Sequence, residues 1–244
     1  MAQVIRLPLQ RTASVARSTA SNAANVGESL RWLTGWDIDD WGRDDTLAGF
    51  AARVGQLRWD ATIGGADALP KRGPALIVIN SRRFALAPWF VSLALSRRTG
   101  RPVRFVGRPD AAPFGALARR LGGLLARPDE VRGALRHGQV LVVGATGGLR
   151  DRHVGSIDHR LIGAAVEEGV PVIPAAVTMS FSTRVARIEV GRQVKPSRQR
   201  RGPLSEYELT AQVADRIEQM LSEFGDARTG TPLDWLPFNP FGGN

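Results

Sequence analysis

Leu69-Pro70-Lys71-Arg72-Gly73-Pro74 runs straight into Ala75-Leu76-Ile77-Val78-Ile79-Asn80, a polar loop feeding an unbroken aliphatic run. A run of that length suits a strand covered on both faces. The same cadence returns at Val140-Leu141-Val142-Val143, which follows Gly138 and leads into Gly144-Ala145-Thr146-Gly147-Gly148. It returns again from Val170 to Val177, after Gly169. Longer segments with helical spacing separate the three runs. The alternation predicts an α/β fold: a single domain with a mixed, mostly parallel sheet flanked by helices. In open sheets of this kind ligands bind at the carboxyl ends of the strands. The residues after Asn80 and after Val143 are therefore where chemistry is expected.

The chain has 244 residues, enough for one domain with an ample core. It contains no cysteine, which removes disulfides, thiol nucleophiles and cysteine-based metal sites. The three histidines, His137, His153 and His159, leave too few soft ligands for a structural zinc site, and no metal or cofactor is expected. The formal net charge is +10, and the only lysines are Lys71 and Lys195. Twelve arginines stand against three acidic residues between Arg82 and Arg136. Such a patch attracts anionic lipid headgroups, coenzyme-type phosphates or nucleic acid. No basic motif of a nucleic-acid fold accompanies it, so lipid or phosphate is the expected partner and nucleic acid is not.

The first 24 residues lack the apolar core of a secretory leader. No run reaches the roughly eighteen apolar residues of a membrane span. The expected location is cytoplasmic, with peripheral docking on the inner face of a membrane. The stretch from Phe84 to Leu95 is apolar and flanked by Arg82-Arg83 and Arg97-Arg98. It reads either as a helix in the headgroup interface or as a buried helix of the core.

Taken in order, residues 1–26 read as a disordered or extended basic arm, 27–225 as the α/β domain and 226–244 as an irregular tail. A short helix is expected from Glu28 to Leu33. Trp32, Trp36 and Trp41 lie among Asp37, Asp39, Asp40, Asp44 and Asp45. The simplest reading is a solvated turn; the cluster could also clamp the arginine-rich stretch or bind a cation. Thr46 to Leu57 has helical spacing, with Asp45 as its expected cap. Arg58 to Ile63 alternates like an antiparallel edge strand. Further strands are expected at Val103 to Val106 and Arg187 to Val190. Helices are expected at Ala116 to Gly122, Glu130 to Arg136 (capped by Asp129), His159 to Glu168 and Leu204 to Phe224. Arg192 to Arg201 is a basic loop.

Two motifs carry possible chemistry. Glycines after a buried strand let backbone amides cradle a phosphate, so Thr146, Gly147, Gly148 and Arg150 are candidate ligand-binding residues. A plain turn is the alternative. His153-Val154-Gly155-Ser156-Ile157-Asp158 spaces an imidazole and a carboxylate by five residues. Chance produces that spacing readily in a chain this rich in Asp, so His153 and Asp158 are weak catalytic candidates.

The order of these motifs resembles the glycerolipid acyltransferase family, whose best-known members are the 1-acylglycerol-3-phosphate acyltransferases. The resemblance rests on Leu-Pro-x-x-Gly-Pro before a strand ending in Asn80, then Arg104-Phe105-Val106-Gly107-Arg108, Pro113-Phe114-Gly115, and Leu121 to Arg127. Leu135-Arg136-His137-Gly138 before a strand, and Val170 to Pro174, complete the set. It spans roughly residues 57 to 195. It implies acyl-CoA and lysophospholipid as ligand types, Asn80 at the substrate site, and Arg127 as a contact for the acceptor's phosphate. It also implies Asn-His-x-x-x-x-Asp after the first strand, where His takes the acceptor's proton and Asp orients it. Here those positions hold Ser81 and Leu86. The family's Phe-Pro-Glu-Gly loop falls on Gly144, Ala145, Thr146 and Gly147, and only the glycine remains. A serine hydroxyl cannot serve as an imidazole-like base, and a leucine orients nothing by hydrogen bonding.

The expectation is a divergent relative at a membrane surface that binds lysophospholipid-like or acyl-CoA-like ligands without the usual transfer mechanism. Two alternatives stand beside it: an active enzyme using His153 and Asp158, and a basic interaction module whose pocket has filled in.

Overall fold

The computed structural model describes residues 38–58, 60–81, 86–146, 154–180, 185–195 and 202–224. The three aliphatic runs become adjacent central strands, β2 (Ala75–Ile79), β5 (Val140–Gly144) and β6 (Val172–Ser180). β2 lies between the other two and is parallel to both. All five of its residues are inaccessible to solvent, as an uninterrupted aliphatic strand demands. β3 (Val103–Val106) pairs in parallel with β5, and the two-residue β4 (Gly123–Leu124) closes that edge.

On the other side β7 (Val185–Val190) runs antiparallel to β6. β1 (Asp60–Gly64) forms the far edge. Among the described residues the sheet has seven strands, in the order β1-β7-β6-β2-β5-β3-β4. β1 is an edge strand, but it is parallel to its neighbour, not antiparallel as its sequence pattern suggests. Because β7 reverses against β6, β1 runs opposite to the central strands while matching the strand it touches.

Among the described residues six α-helices cover the sheet: α1 (Asp45–Arg58), α2 (Ala87–Thr99), α3 (Phe114–Arg120), α4 (Pro128–Arg136), α5 (His159–Glu167) and α6 (Pro203–Glu223). The pleat sends alternate strand residues to opposite faces. Leu76, Val78, Leu141 and Val143 pack against α4, α5 and α6. Ile77, Ile79, Val140 and Val142 pack against α2 through Phe90, Val91 and Leu95. The apolar stretch around Trp89 is thus a core helix, with α1 laid over it. No helix among the described residues is long and apolar enough to cross a membrane. Left-handed Gly138 and Gly169 end the turns before β5 and β6, where another residue would be strained.

The acidic segment is not a solvated turn. Asp39 accepts hydrogen bonds from the amides of Trp41 and Arg43 and pairs with the guanidinium of Arg104. Arg104 is completely buried in β3; burial lowers its pKa, and the Asp39 carboxylate opposes that shift. Arg43 donates to the carbonyl of Val103 at 3.1 Å. Asp44 pairs with Arg120 at 3.1 Å and accepts from the amide of Leu47 at 3.0 Å. Asp44, not Asp45, therefore caps α1; Asp45 instead pairs with Arg43. Asp129 likewise is no cap: Pro128 opens α4, and Asp129 sits in its first turn. The clamp reading of the acidic cluster is the one the contacts support. The arm, the helix expected at Glu28 to Leu33 and the tail after Gly225 lie outside the described residues.

Candidate functional site

The carboxyl ends of β2, β3, β5 and β6 meet at one rim of the sheet. Asn80, the residue after β2, is buried and turned sideways. Its Nδ2 donates to the carbonyl of Val177 at 2.8 Å, and its Oδ1 accepts from the amide of Val177 at 2.7 Å. The amide side chain therefore acts as one more rung between β2 and β6. Both of its principal hydrogen-bonding partners are backbone, so its polarity is consumed by the fold.

Ser81 follows and is 9% exposed. It rests over Gly144 at the end of β5. A Cβ built on Gly144 would lie 2.7 Å from Cγ of Pro88 and 2.9 Å from Cβ of Ser81. No side chain fits there, so the glycine is a packing requirement of this chain. The ladder continues one step further, with the amide of Ala145 donating to the carbonyl of Ile79 at 2.8 Å.

Next to this corner lies an apolar cavity of about 440 Å³. Its walls include Leu86, Pro88, Trp89, Phe105, Gly107 and Phe114. None of its described lining residues titrates. Phe114, at 71% exposed, and Leu86, at 36%, stand at its edge. The space is shaped for hydrocarbon, and its described lining offers no group to move a proton.

The other candidates are spread around the same rim. Arg127 is the residue before α4; it is mostly exposed and pairs with Asp110 at 3.1 Å. Thr146 and Ser156 exchange two backbone hydrogen bonds of 2.8 Å, closing the neck of the loop between them. Thr146 Oγ1 also donates to the carbonyl of Ser156 at 3.2 Å. Gly147, Gly148, Arg150 and His153, within that loop, lie outside the described residues.

Asp158 caps α5, accepting from the amide of Arg160 at 3.0 Å. Its two oxygens also take the Nε and Nη2 of Arg160, at 3.1 and 3.0 Å. The hydrogen bond from the Arg160 side chain is the chief reason its carboxyl is held below the usual range. Neither described histidine reaches the corner. His137 ends α4, ahead of β5, with its ring edge-on to Trp41. His159 stacks on Tyr207 of α6 at 3.9 Å.

Much of the arginine-rich stretch is also spoken for. Arg104 and Arg120 hold the acidic segment, Arg132 pairs with Glu167 at 2.6 Å, and Arg136 pairs with Glu168 at 2.7 Å. The partners lie outside the window in which the charge accumulates. The described residues contain no cluster of His, Cys, Asp and Glu able to hold a metal.

No family model matches the chain, and no curated protein matches its sequence. A solved structure does: the 1-acyl-sn-glycerophosphate (LPA) acyltransferase PlsC from Thermotoga maritima, at 19% identity and a TM-score of 0.56. The match covers 76% of this chain and 81% of the other. The single α/β domain with its seven-stranded, mostly parallel sheet is the fold of that acyltransferase.

Proposed function

We propose that this chain is a divergent acyltransferase-like protein of lipid metabolism. It binds a lysophospholipid-like or acyl-CoA-like ligand at the carboxyl ends of β2, β3 and β5, without the His/Asp transfer mechanism. The observation that carries this reading is the corner at Asn80 and Ser81. Its polar groups serve the backbone and its packing, and the described lining of the adjacent cavity is mainly apolar. At about 440 Å³ it lies within the roughly 300–1,000 Å³ of small-molecule sites. An open cavity favours a ligand over a filled-in module. Arg127 and Thr146, at the same rim, are assigned to a phosphate or headgroup, together with Gly147, Gly148 and Arg150 of the sequence that follows. A membrane surface, on the cytoplasmic side, is the assigned source of the ligand.

Native mass spectrometry of the purified full chain tests the reading. We expect co-purified lysophospholipid or acyl-thioester that is displaced by added lysophosphatidate. A chain that carries no lipid and takes up none would overturn it. Asp158 is held by Arg160, which supports leaving the His153/Asp158 pair as the second reading; turnover abolished by His153→Ala would promote it.

A further inference from the structure

A second cavity of about 500 Å³ runs along α2. It lies between α1, α2 and β1, and touches the first cavity at Trp89, Leu117 and Leu121. Ala48 and Ala52 of α1 meet Leu93 of α2, with Ala51 and Trp89 packed beside them. These short side chains hold the helices together at one point and leave a trench beyond it. Ala51, Val54, Gly55, Ala61 and Ala94 line the trench. Phe50, 56% exposed, and Leu117, 51% exposed, stand among its walls.

The charge at the trench is one-sided. Arg97 and Arg98, in the last turn of α2, line it and are exposed. Among the described residues neither has an acidic partner. A helix C-terminus carries roughly half a negative charge, so two guanidiniums leave this end net positive. Their planar forks match a carboxylate. The described lining contains no hydroxyl, amide or carboxylate side chain. A glycerol or sugar head would therefore leave its own hydroxyls unserved, whereas a fatty-acid anion has none. About 20 Å of helix, at roughly 1.5 Å per residue, separates this end of α2 from the Ser81 corner.

We propose that the α1–α2 trench is a separate site for a long-chain fatty-acid anion. The hydrocarbon lies along Val54, Ala94 and Trp89, and the carboxylate is held by Arg97 and Arg98. The site deepens the lipid reading given above but takes a different ligand in a different place, so each can fail alone.

Gly55 supplies a clean test. A Cβ there would meet nothing within 4 Å, so a larger residue fits the fold and enters the trench. The probe is oleate below its micellar concentration, titrated into the full chain by calorimetry, with methyl oleate as the uncharged comparison. We expect one oleate per chain and at least tenfold weaker binding of methyl oleate. Gly55→Phe should lower oleate affinity at least tenfold without lowering Tm, while Gly55→Ala leaves it unchanged. Arg97→Gln with Arg98→Gln should lower oleate affinity about tenfold and leave methyl oleate unaffected. Lysophosphatidate binding, scored separately, should survive Gly55→Phe. No oleate binding, equal binding of methyl oleate, or unchanged affinity in both the Gly55→Phe and the double arginine variants would overturn the proposal. An oleate that is displaced by lysophosphatidate in the wild-type chain would overturn it too, since one shared site would then suffice.

Discussion

The strand-end corner and the α1–α2 trench sit at neighbouring parts of one wall, yet they use their residues in opposite ways. At the corner polar groups are present and occupied: Asn80 locks β6, Ser81 is packed on Gly144, and Asp158 holds its own helix. At the trench the polar groups are few and available, with Arg97 and Arg98 beside an apolar floor. The difference teaches that a pocket at the strand ends can stay open while the polar groups beside it serve the structure. Under the two proposals, binding follows open volume and unpaired charge, not the polar residues at the strand ends.

Four substitutions probe the contrast, and the largest effect should come at the corner. Asn80→Ala strands both the amide and the carbonyl of Val177, and each unsatisfied buried group costs about 1–3 kcal/mol. We expect a loss of roughly 2–4 kcal/mol in urea unfolding; a neutral outcome would mean that the corner's polarity is not structural. Gly144→Val drives a side chain into Pro88 and Ser81. Overpacking of this kind costs about 1–3 kcal/mol, read as a lower urea midpoint. Asp44→Ala removes the cap of α1 and its pair with Arg120. The loss should be about 1–2 kcal/mol. It should be accompanied by faster hydrogen exchange in α1, the outer wall of the trench. Gly55→Ala should act in the other direction, stabilising by about 0.5–1 kcal/mol because an alanine suits a helix and meets no neighbour.

The smallest effect is a pH dependence. Asp158 has a folded-state carboxyl held below its ordinary value, so its contribution is fully present above the unfolded pKa of about 3.9. It fades as pH falls from there through the lower folded value. Asp158→Asn should flatten the acid limb of a stability profile by lowering stability slightly at neutral pH, where the ionised pair contributes, and should leave strongly acid pH nearly unchanged; the effect is small because the group is partly exposed and screened. A flat acid limb in the wild type would show that the Arg160 pairing is not formed in solution.

Most of the strands and helices were legible in the sequence because each is a local pattern. Aliphatic runs gave β2, β5 and β6, and helical spacing gave α1, α4, α5 and α6 to within a residue or two. The misreadings all concern what lies alongside. Nothing in Arg58 to Ile63 says that its neighbour will be the reversed β7. A two-residue strand such as β4 is too short to have a period. In a run of aspartates, spacing alone does not tell Asp44 from Asp45 as the cap. The charge surplus between Arg82 and Arg136 overstated the free charge, because Asp39, Asp44, Glu167 and Glu168 come from elsewhere in the chain. The roles of Asn80 and Gly144 depend on Val177, Pro88 and Ser81 being at hand, and the trench depends on which faces stay apart. Those are facts of packing, invisible to a one-dimensional pattern.

The most direct test of the corner is a transfer assay on the full chain. Acyl-CoA and lysophosphatidate are supplied together, and the doubly acylated product is followed by mass spectrometry. With no proton acceptor beside Ser81 among the described residues, we expect product no higher than the protein-free control while lysophosphatidate remains bound. Sustained turnover that disappears in His153→Ala would contradict the assignment and place a working base in the loop after β5.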